Sequence, residues 1–476
     1  MTTQRLFSLL LLLWVMPFSW AQEKDNSIQQ REFTLNDLEE LLMANHPVVK
    51  QAQIVSASAK AAIAQARGKF DPVLKAAFNN KYFGNSNYYN HWNSELKVPL
   101  WLAGADLKVA YDRNTGMYTN PETTTSTAGL SGVGLSIPLG QGLIIDQRRS
   151  TLQQAKAMLA YAEAEQVKQI NGIWFEAVRN YWDWYLSFRQ YEMLKEGVML
   201  AETRFKAIST QTVLGDAPSI DSVEAAITVQ ERKMELAKYT VALKNSRVLL
   251  SNHLWSDNEQ PLELPDHAVP YLADSARFSP DLIDIGGLLT QAQEGHPELL
   301  KLESKGQQLR IEERYRKELL KPKLNVSGTL LTTRRNFNEF IPSHYDFNWS
   351  NYKMGLEFAF PLFLRTERAK LKEIRLKQEN LRYDQLVTDR HIINDITIKY
   401  NDLWAYSNQM KLQVLSINNQ EILLAGELQK FDLGESTLFI INSRETKLID
   451  MRIKRENLIA NYQKAVAELY YKAGRR

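Results

Sequence analysis

From Arg149 to Val213 the chain runs for 65 residues without a proline, and from Arg368 to Leu433 for a further 66. Glycine interrupts the first run only at Gly172 and Gly197, and the second only at Gly426. Apolar residues recur every seven positions through both. The first run has Ile170, Ala177, Trp184, Tyr191, Val198 and Phe205; the second has Ile396, Leu403, Met410, Ile417, Leu424 and Phe431. Heptads sustained this long belong to helices packed along one seam. At 1.5 Å per residue each rod is about 100 Å long, whereas ordinary helices average about 11–12 residues. No compact domain needs such a rod, so the fold is extended.

The two rods are related. Tyr181 and Asp183 recur as Tyr400 and Asp402, and Leu214-Gly215 recurs as Leu433-Gly434, all at an offset of 219. Upstream, His46-Pro47 and Pro72 recur as His296-Pro297 and Pro322 at an offset of 250. A fixed offset is the mark of an internal repeat. The expected organisation is two copies of one unit, 22–254 and 282–476. The connector between them, 255–281, carries Pro261, Pro265, Pro270 and Pro280, and proline density of that kind marks a non-helical segment.

Within each copy the period changes in the same order. Copy one opens with a helix from Thr34, where Asp37 completes a capping-box pattern. It breaks at His46-Pro47 and resumes to about Gly68. Strands follow over about 72–138, then the long hairpin over about 149–254. Copy two repeats this with a helix from Asp281 to about Leu320, strands over about 322–361 and a hairpin over about 368–471. Leu-Gly at the end of each rod is a helix C-cap signal. Helices then return from Ser219 and Thr437, so both tips point the same way, away from the strands.

The strands alternate strictly. Leu96, Val98, Leu100 and Leu102 alternate with Glu95, Lys97 and Trp101, and Tyr352, Met354, Leu356 and Phe358 with Lys353, Gly355 and Glu357. Half-buried strands of a soluble sheet would alternate in this way, and so would membrane barrel strands. Two features favour the barrel: the rods, and residues 1–21. There Arg5, an apolar run from Leu6 to Phe18, and small Ser19 and Ala21 make a secretory signal peptide. Four strands, or six with the extra alternating pair Ser94–Leu102 and Ala105–Arg113 hinged at Ala103-Gly104, cannot close a barrel, since membrane barrels start at about eight. Open edges are not tolerated in lipid, so several copies must share one barrel. Alternation alone leaves open whether the extra pair joins it.

Composition narrows function by exclusion. With 58 Lys+Arg against 55 Asp+Glu in mixed order, no basic cluster suits a nucleic acid. The absence of cysteine removes disulfides, thiolate metal sites and a cysteine nucleophile. No P-loop, Gly-x-Ser-x-Gly or His-Glu-x-x-His occurs, so neither enzyme nor metal site is expected. His46 and His296 each precede a helix-breaking proline and suit capping. Trp184 lies in the heptad seam, while Trp182 suits either core packing or a neighbouring copy. Thr123–Thr127 reads as a polar loop at the barrel's outer rim.

Several weak motifs occur twice at matching spacing. They are Asn45-His46-Pro47; Ile137-Pro138-Leu139…Gly142 leading through Arg148-Arg149; Phe360-Pro361-Leu362…Arg365…Arg368; Leu214-Gly215…Asp221-Ser222-Val223; and Leu433-Gly434-Glu435-Ser436-Thr437. In this order the chain resembles the TolC-like outer-membrane efflux and secretion channels, from about Phe33 to Gly474. The resemblance implies a mostly α protein acting as a homotrimer, with one shared β-barrel in outer-membrane lipid and an α-helical tunnel in the periplasm. The implied role is a passive exit duct without cofactors. Its implied partners are a periplasmic adaptor (membrane fusion) protein and an inner-membrane transporter of RND or ABC type. The implied adaptor contacts are Leu214, Gly215 and Asp216 at one tip and Leu433, Gly434, Glu435, Ser436 and Thr437 at the other. Many relatives carry acidic residues just after the second tip, where this chain has Ile440 and Ser443. Asp221 and Glu224 hold the corresponding places at the first tip, as a tunnel constriction or as solvated surface charge. A non-channel periplasmic coiled-coil protein is the alternative, against which the strand alternation speaks. The rods speak against a free-standing porin. Cargo, pump and the position of a closed gate are not legible in the sequence.

Overall fold

The computed structural model describes residues 31–215, 218–271, 278–333, 347 and 349–476. The signal segment 1–21 and Asp216 lie outside the described residues. The architecture is mostly helical, with one six-stranded sheet at one end.

The chain opens with β1 (Arg31–Phe33), α1 (Leu35–Asn45) and α2 (Pro47–Arg67). Thr34 forms the full capping box: its hydroxyl accepts from Asp37 N at 3.2 Å, and the Asp37 carboxylate accepts from Thr34 N at 2.8 Å. The break between the helices is chemical. Pro47 starts α2 at a position where the missing N–H costs nothing, and His46 Nδ1 accepts from Val48 N at 3.1 Å. Downstream, His296 does the same for Glu298 N at 3.1 Å, between α5 (Ile285–Gly295) and α6 (Pro297–Glu318). Both histidines are helix caps.

The large sheet is antiparallel throughout, in the order β2 (Val73–Phe83), β3 (Ser86–Pro99), β4 (Asp106–Thr115), β5 (Leu130–Pro138), β7 (Lys323–Thr332), β8 (Tyr352–Ala359). A small parallel pair joins β1 to β6 (Ala268–Pro270), within the proline-rich segment. Gly84 and Asn85, both at positive φ, make the two-residue turn into β3, which matches the twist of a hairpin. Strand bounds differ from the alternation pattern in both strands of the extra pair; β4 runs Asp106–Thr115 where the pattern gives Ala105–Arg113. The pattern carries β3 from Ser94 to Leu102, but pairing begins at Ser86 and stops at Pro99. Leu102–Gly104 instead forms a tight 3-10 turn with Ala103 at φ 55 and Gly104 at φ 66. A Cβ at Gly104 would lie 2.7 Å from Gly142 O, so only glycine fits.

Register aligns the apolar residues across the whole sheet. Leu74 faces Leu96, which faces Val109, then Val133, Leu330 and Tyr352, one residue from each of the six strands. A second row runs Val98, Leu107, Leu135, Gly328, Met354. The opposite face is polar or small: Lys97, Lys108, Gly134, Thr329 and Lys353 form one of its rows. At Gly134 a Cβ would meet Thr329 Oγ1 at 2.4 Å. That face is therefore closely packed where β5 meets β7.

Below the sheet run α3 (Gln147–Leu214) and α7 (Arg365–Asp432), 68 residues each, with the returning helices α4 (Ser219–Ser251) and α8 (Leu438–Lys472). All twelve heptad residues are buried or half-buried. Ala177, Trp184, Ile396 and Leu403 are fully buried in one core. Trp182 belongs to the same core, edge-on to Tyr181 and Tyr185. It thus packs within its own chain and does not face a neighbouring copy. The Tyr181 hydroxyl donates to Phe33 O at 2.9 Å and accepts from Tyr271 N at 3.0 Å, which ties the small sheet to α3. Side by side, α4, α3, α8 and α7 form a layer in that order, since α3 contacts both α4 and α8, and α8 contacts α7.

Leu403→Asp should cost roughly 3–5 kcal/mol, because it buries a charge with no partner; loss of cooperative helix melting by circular dichroism checks this. His253 is buried just beyond α4, its ring stacked on His46 at 5.9 Å and its Nε2 2.8 Å from Asn180 Nδ2. Burial, reinforced by His46, pushes its imidazole down from 6.5 to about 4. The unfolded chain binds this proton first, so stability from this site is full above pH 6.5 and lost as pH falls towards 4. Thermal melts across that window should show a decline that His253→Gln makes shallower.

Candidate functional site

Both rods end as helix chemistry requires. Gly215 sits at φ 84 after Leu214, its N–H bonded to Thr212 O at 3.2 Å. At the second tip Gly434 lies at φ 76; its N–H bonds Phe431 O at 2.9 Å, and Glu435 N–H bonds Lys430 O at 2.8 Å. Those two bonds are the Schellman closure, which satisfies carbonyls that the helix end leaves free. Ser436 Oγ donates to Glu427 Oε1 at 2.5 Å and fixes the turn from the side. Thr437 leads into α8 with its carbonyl accepting from Ile440 N.

The tips are joined beneath and bare above. Ile208, Ala225 and Leu438 form a small core with Phe205 and Phe431, bringing α3, α4, α7 and α8 together. Around it Val213, Leu214, Ile220, Leu433 and Phe439 are exposed. A soluble surface seldom leaves this much apolar area clustered unless something covers it. Of the residues expected to contact a partner, Leu214, Gly215, Leu433, Gly434, Glu435, Ser436 and Thr437 all lie at this end. Asp221 and Glu224 are half-buried on the first turns of α4, and Ile440 and Ser443 lie on α8. Within one copy nothing encloses them into a ring.

Sequence periodicity missed a set of buried charges. Glu445 takes an otherwise apolar position on α8, in step with Leu438, Ile441 and Leu448. Its carboxylate accepts from Arg204 on α3 and, at 3.1 Å, from Arg232 on α4, which also donates to Gly197 O. Three helices from both hairpins therefore meet at one carboxylate. Higher up, Glu456 accepts from Tyr185 Oη at 2.8 Å and from Arg455 at 2.7 Å. A lone acid in a 3-4 apolar spacing is the signal that could have found them. At the top of α3, burial by itself would raise the Asp146 carboxyl, but bonds from Arg149 N and the Arg148 and Arg149 side chains outweigh it and hold it below the ordinary range.

Both flanks of a single copy are unfinished. Ile220, Ile227, Met234, Val241 and Val248 recur every seven residues along α4, and all are exposed. On the other flank α7 exposes Leu376, Tyr383, Ile398, Leu412, Leu415 and Ile422. The sheet matches this, since β2 and β8 each have one unpaired edge. Among the described residues no group of His, Asp and Glu could hold a metal ion, and no helix is long and apolar enough to cross a membrane.

No protein-family model matches the chain, and no curated protein does. Solved structures do. The CmeC outer membrane channel of Campylobacter jejuni aligns with a TM-score of 0.63 at 13% identity, over 92% of this chain and 85% of that one. The outer membrane protein VceC of Vibrio cholerae aligns at 0.64 and 14%, over 92% and 96%. The open-state MtrE outer membrane channel of Neisseria gonorrhoeae aligns at 0.64 and 13%, over 93% and 89%. The chain has the fold of these channels over nearly its whole length.

The charge cluster makes an ordered prediction. Glu445→Ala leaves buried Arg232 without a partner and should cost roughly 3–5 kcal/mol. Arg204→Ala should cost less, because Arg232 still compensates the carboxylate. Denaturant titration of the two variants, with limited proteolysis near residues 197–232, reads the difference.

Proposed function

We propose that the chain is one protomer of a homotrimeric outer-membrane exit duct, a passive conduit from a periplasmic tunnel through a shared barrel. The observation that carries this reading is the pair of unfinished flanks. On one side lie β2 and the α4 stripe; on the other lie β8 and the apolar face of α7. An interface between two different faces of one chain repeats around a ring when the rotation closes. Such a ring pairs β2 with a neighbour's β8, so no strand edge meets lipid, and covers the α4 stripe with a neighbour's α7. The apolar rows of the sheet then face outward to hydrocarbon and the polar rows face the lumen, as in membrane barrels. Below, four helices from each copy wall a tunnel whose far end is formed by the tips.

The chain carries no energising chemistry in this reading. An inner-membrane pump supplies it, of RND or ABC type, through a periplasmic adaptor that docks on the apolar ends around Leu214-Gly215 and Leu433-Gly434. Two internal copies of one unit explain why both tips offer a Leu-Gly turn. Asp221 and Glu224, half-buried near the tip, are the candidate acidic constriction.

Gly215→Val and Gly434→Val test the docking role. Each forces a β-branched residue to positive φ, at a cost of roughly 1–2 kcal/mol. Among the described residues beyond the adjacent ones, no heavy atom lies within 4 Å of a Cβ at either position, so the cost is backbone strain. Long packed seams should absorb that loss. The expected result is trimer at near-normal level in outer-membrane extracts, with export abolished in a deletion strain complemented by either variant. Scoring drug tolerance, metal tolerance and secreted protein in the same strains also identifies the cargo. Export that persists with either tip changed sinks the docking assignment.

A further inference from the structure

Among the described residues the hairpin β3–β4 has no counterpart in the second half of the sheet, where β7 pairs directly with β8. It is not an ornament on a smaller wall. Residues of β2 pair with β3 from Val73 to Phe83, while β5 pairs with β4 and β7. Thus β2 reaches the rest of the sheet only through the hairpin. Without β3 and β4, one edge of the wall would be detached.

The hairpin also carries its share of each face. Leu96, Val98, Leu107 and Val109 sit within the apolar rows that continue into β5, β7 and β8. On the opposite face it places His91 against Asp112 at 2.8 Å and Lys97 against Asp106 at 2.9 Å. Aromatic rings mark both ends: Trp92 lies 6.0 Å from Phe78 above, and Trp101 lies 5.3 Å from Phe70 below. Aliphatic residues between aromatic belts, with charges behind, are the pattern of a strand that crosses lipid. The lower turn is anchored to the root of α3, since Arg148 donates to Asp106 Oδ1 at 2.7 Å and to Gly104 O at 3.1 Å. The hairpin is held in the plane of the wall and cannot fold away from it.

We infer that the hairpin Ser86–Thr115 is a lipid-facing part of the barrel wall, its apolar face covered by acyl chains, so that each copy contributes six strands and three copies build a barrel of eighteen. This rests on the trimeric barrel proposed above. Barrels of about 16–18 strands enclose an aqueous channel, and diameter grows roughly linearly with strand number. The exit is therefore about half as wide again as the same chain would form from β2, β5, β7 and β8 alone. The width the hairpin adds is lined by charge, which suits hydrated, bulky cargo.

The absence of native cysteine makes the test direct. Single cysteines are placed in the trimer at Leu96 and Val109 on the apolar face of the hairpin, and at Lys108 and Ala110 on its other face. Leu135→Cys and Leu356→Cys report on strands outside the hairpin. Each is tested with a charged, water-soluble maleimide, and a bound fluorophore is tested for quenching by spin-labelled lipid. The expected result is slow labelling and strong lipid quenching at 96 and 109, matching 135 and 356, with fast labelling and no quenching at 108 and 110. If 135 and 356 are quenched but 96 and 109 label freely, the hairpin is off the wall and the inference is wrong. If none of the four is quenched, the barrel reading itself fails, and this inference fails with it.

Discussion

A strand edge cannot end in hydrocarbon, and the ring proposed for this chain answers to that constraint. Six antiparallel strands leave β2 and β8 with unpaired N–H and C=O groups, each costing several kcal/mol in lipid. Apolar side chains on one face demand either a core or lipid, and among the described residues Leu74, Val109, Val133 and Tyr352 of the long row stay exposed in a single copy. The proposed closed ring of identical sheets would meet both demands together. The helices below would follow the same geometry, since their layer ends in two apolar stripes that differ from each other, as a head-to-tail ring requires.

Seams about 100 Å long create a problem of registration, because heptads fit almost as well after sliding by seven residues. Buried charge removes that freedom. Glu445 meets Arg204 and Arg232 from two other helices, and Glu456 meets Tyr185 and Arg455. A slide by one heptad would separate Glu445 from both arginines and Glu456 from Tyr185, although Arg455, its neighbour on α8, would travel with it. Buried ion pairs contribute little net stability against an apolar replacement, but breaking one is costly. Here they act as locating pins between the two hairpins.

Features that depend on neighbours within a few residues were legible in the sequence. The rods, the Thr34 cap, the histidine–proline breaks and the Leu-Gly reversals each follow from local spacing, and the structure holds all of them. Strand phase was legible for the same reason. Strand ends were not: Leu100 and Leu102 keep the alternation, but positive φ at Ala103 and Gly104 turns the chain first. Pairing partners lie outside any local window, so the assignment of the extra hairpin to one continuous sheet needed the register. Trp182 was ambiguous because a heptad gives one face of a helix, whereas α3 packs on several neighbours. Glu445 was missed because an acid in an apolar stripe reads as noise until its arginines, on two other helices, are in view. At the tips the backbone turns could be read from the sequence, whereas the exposed apolar cluster around them needed the packing of four helices to be seen.

The bare heptad stripe on α4 from Ile220 to Val248 has a consequence for how cells keep this protein. A lone copy exposes that stripe, the matching face of α7 and two strand edges at once. In the proposed ring the folded state would obey mass action, so that stability could not be separated from the concentration of other copies. Newly made chains would then pass through a window in which proteases and aggregation compete with ring closure. If the proposed ring is the working form, small losses along the seam would surface as low abundance and not as a leaky or sluggish duct, and the supply of copies would set how many rings a cell maintains.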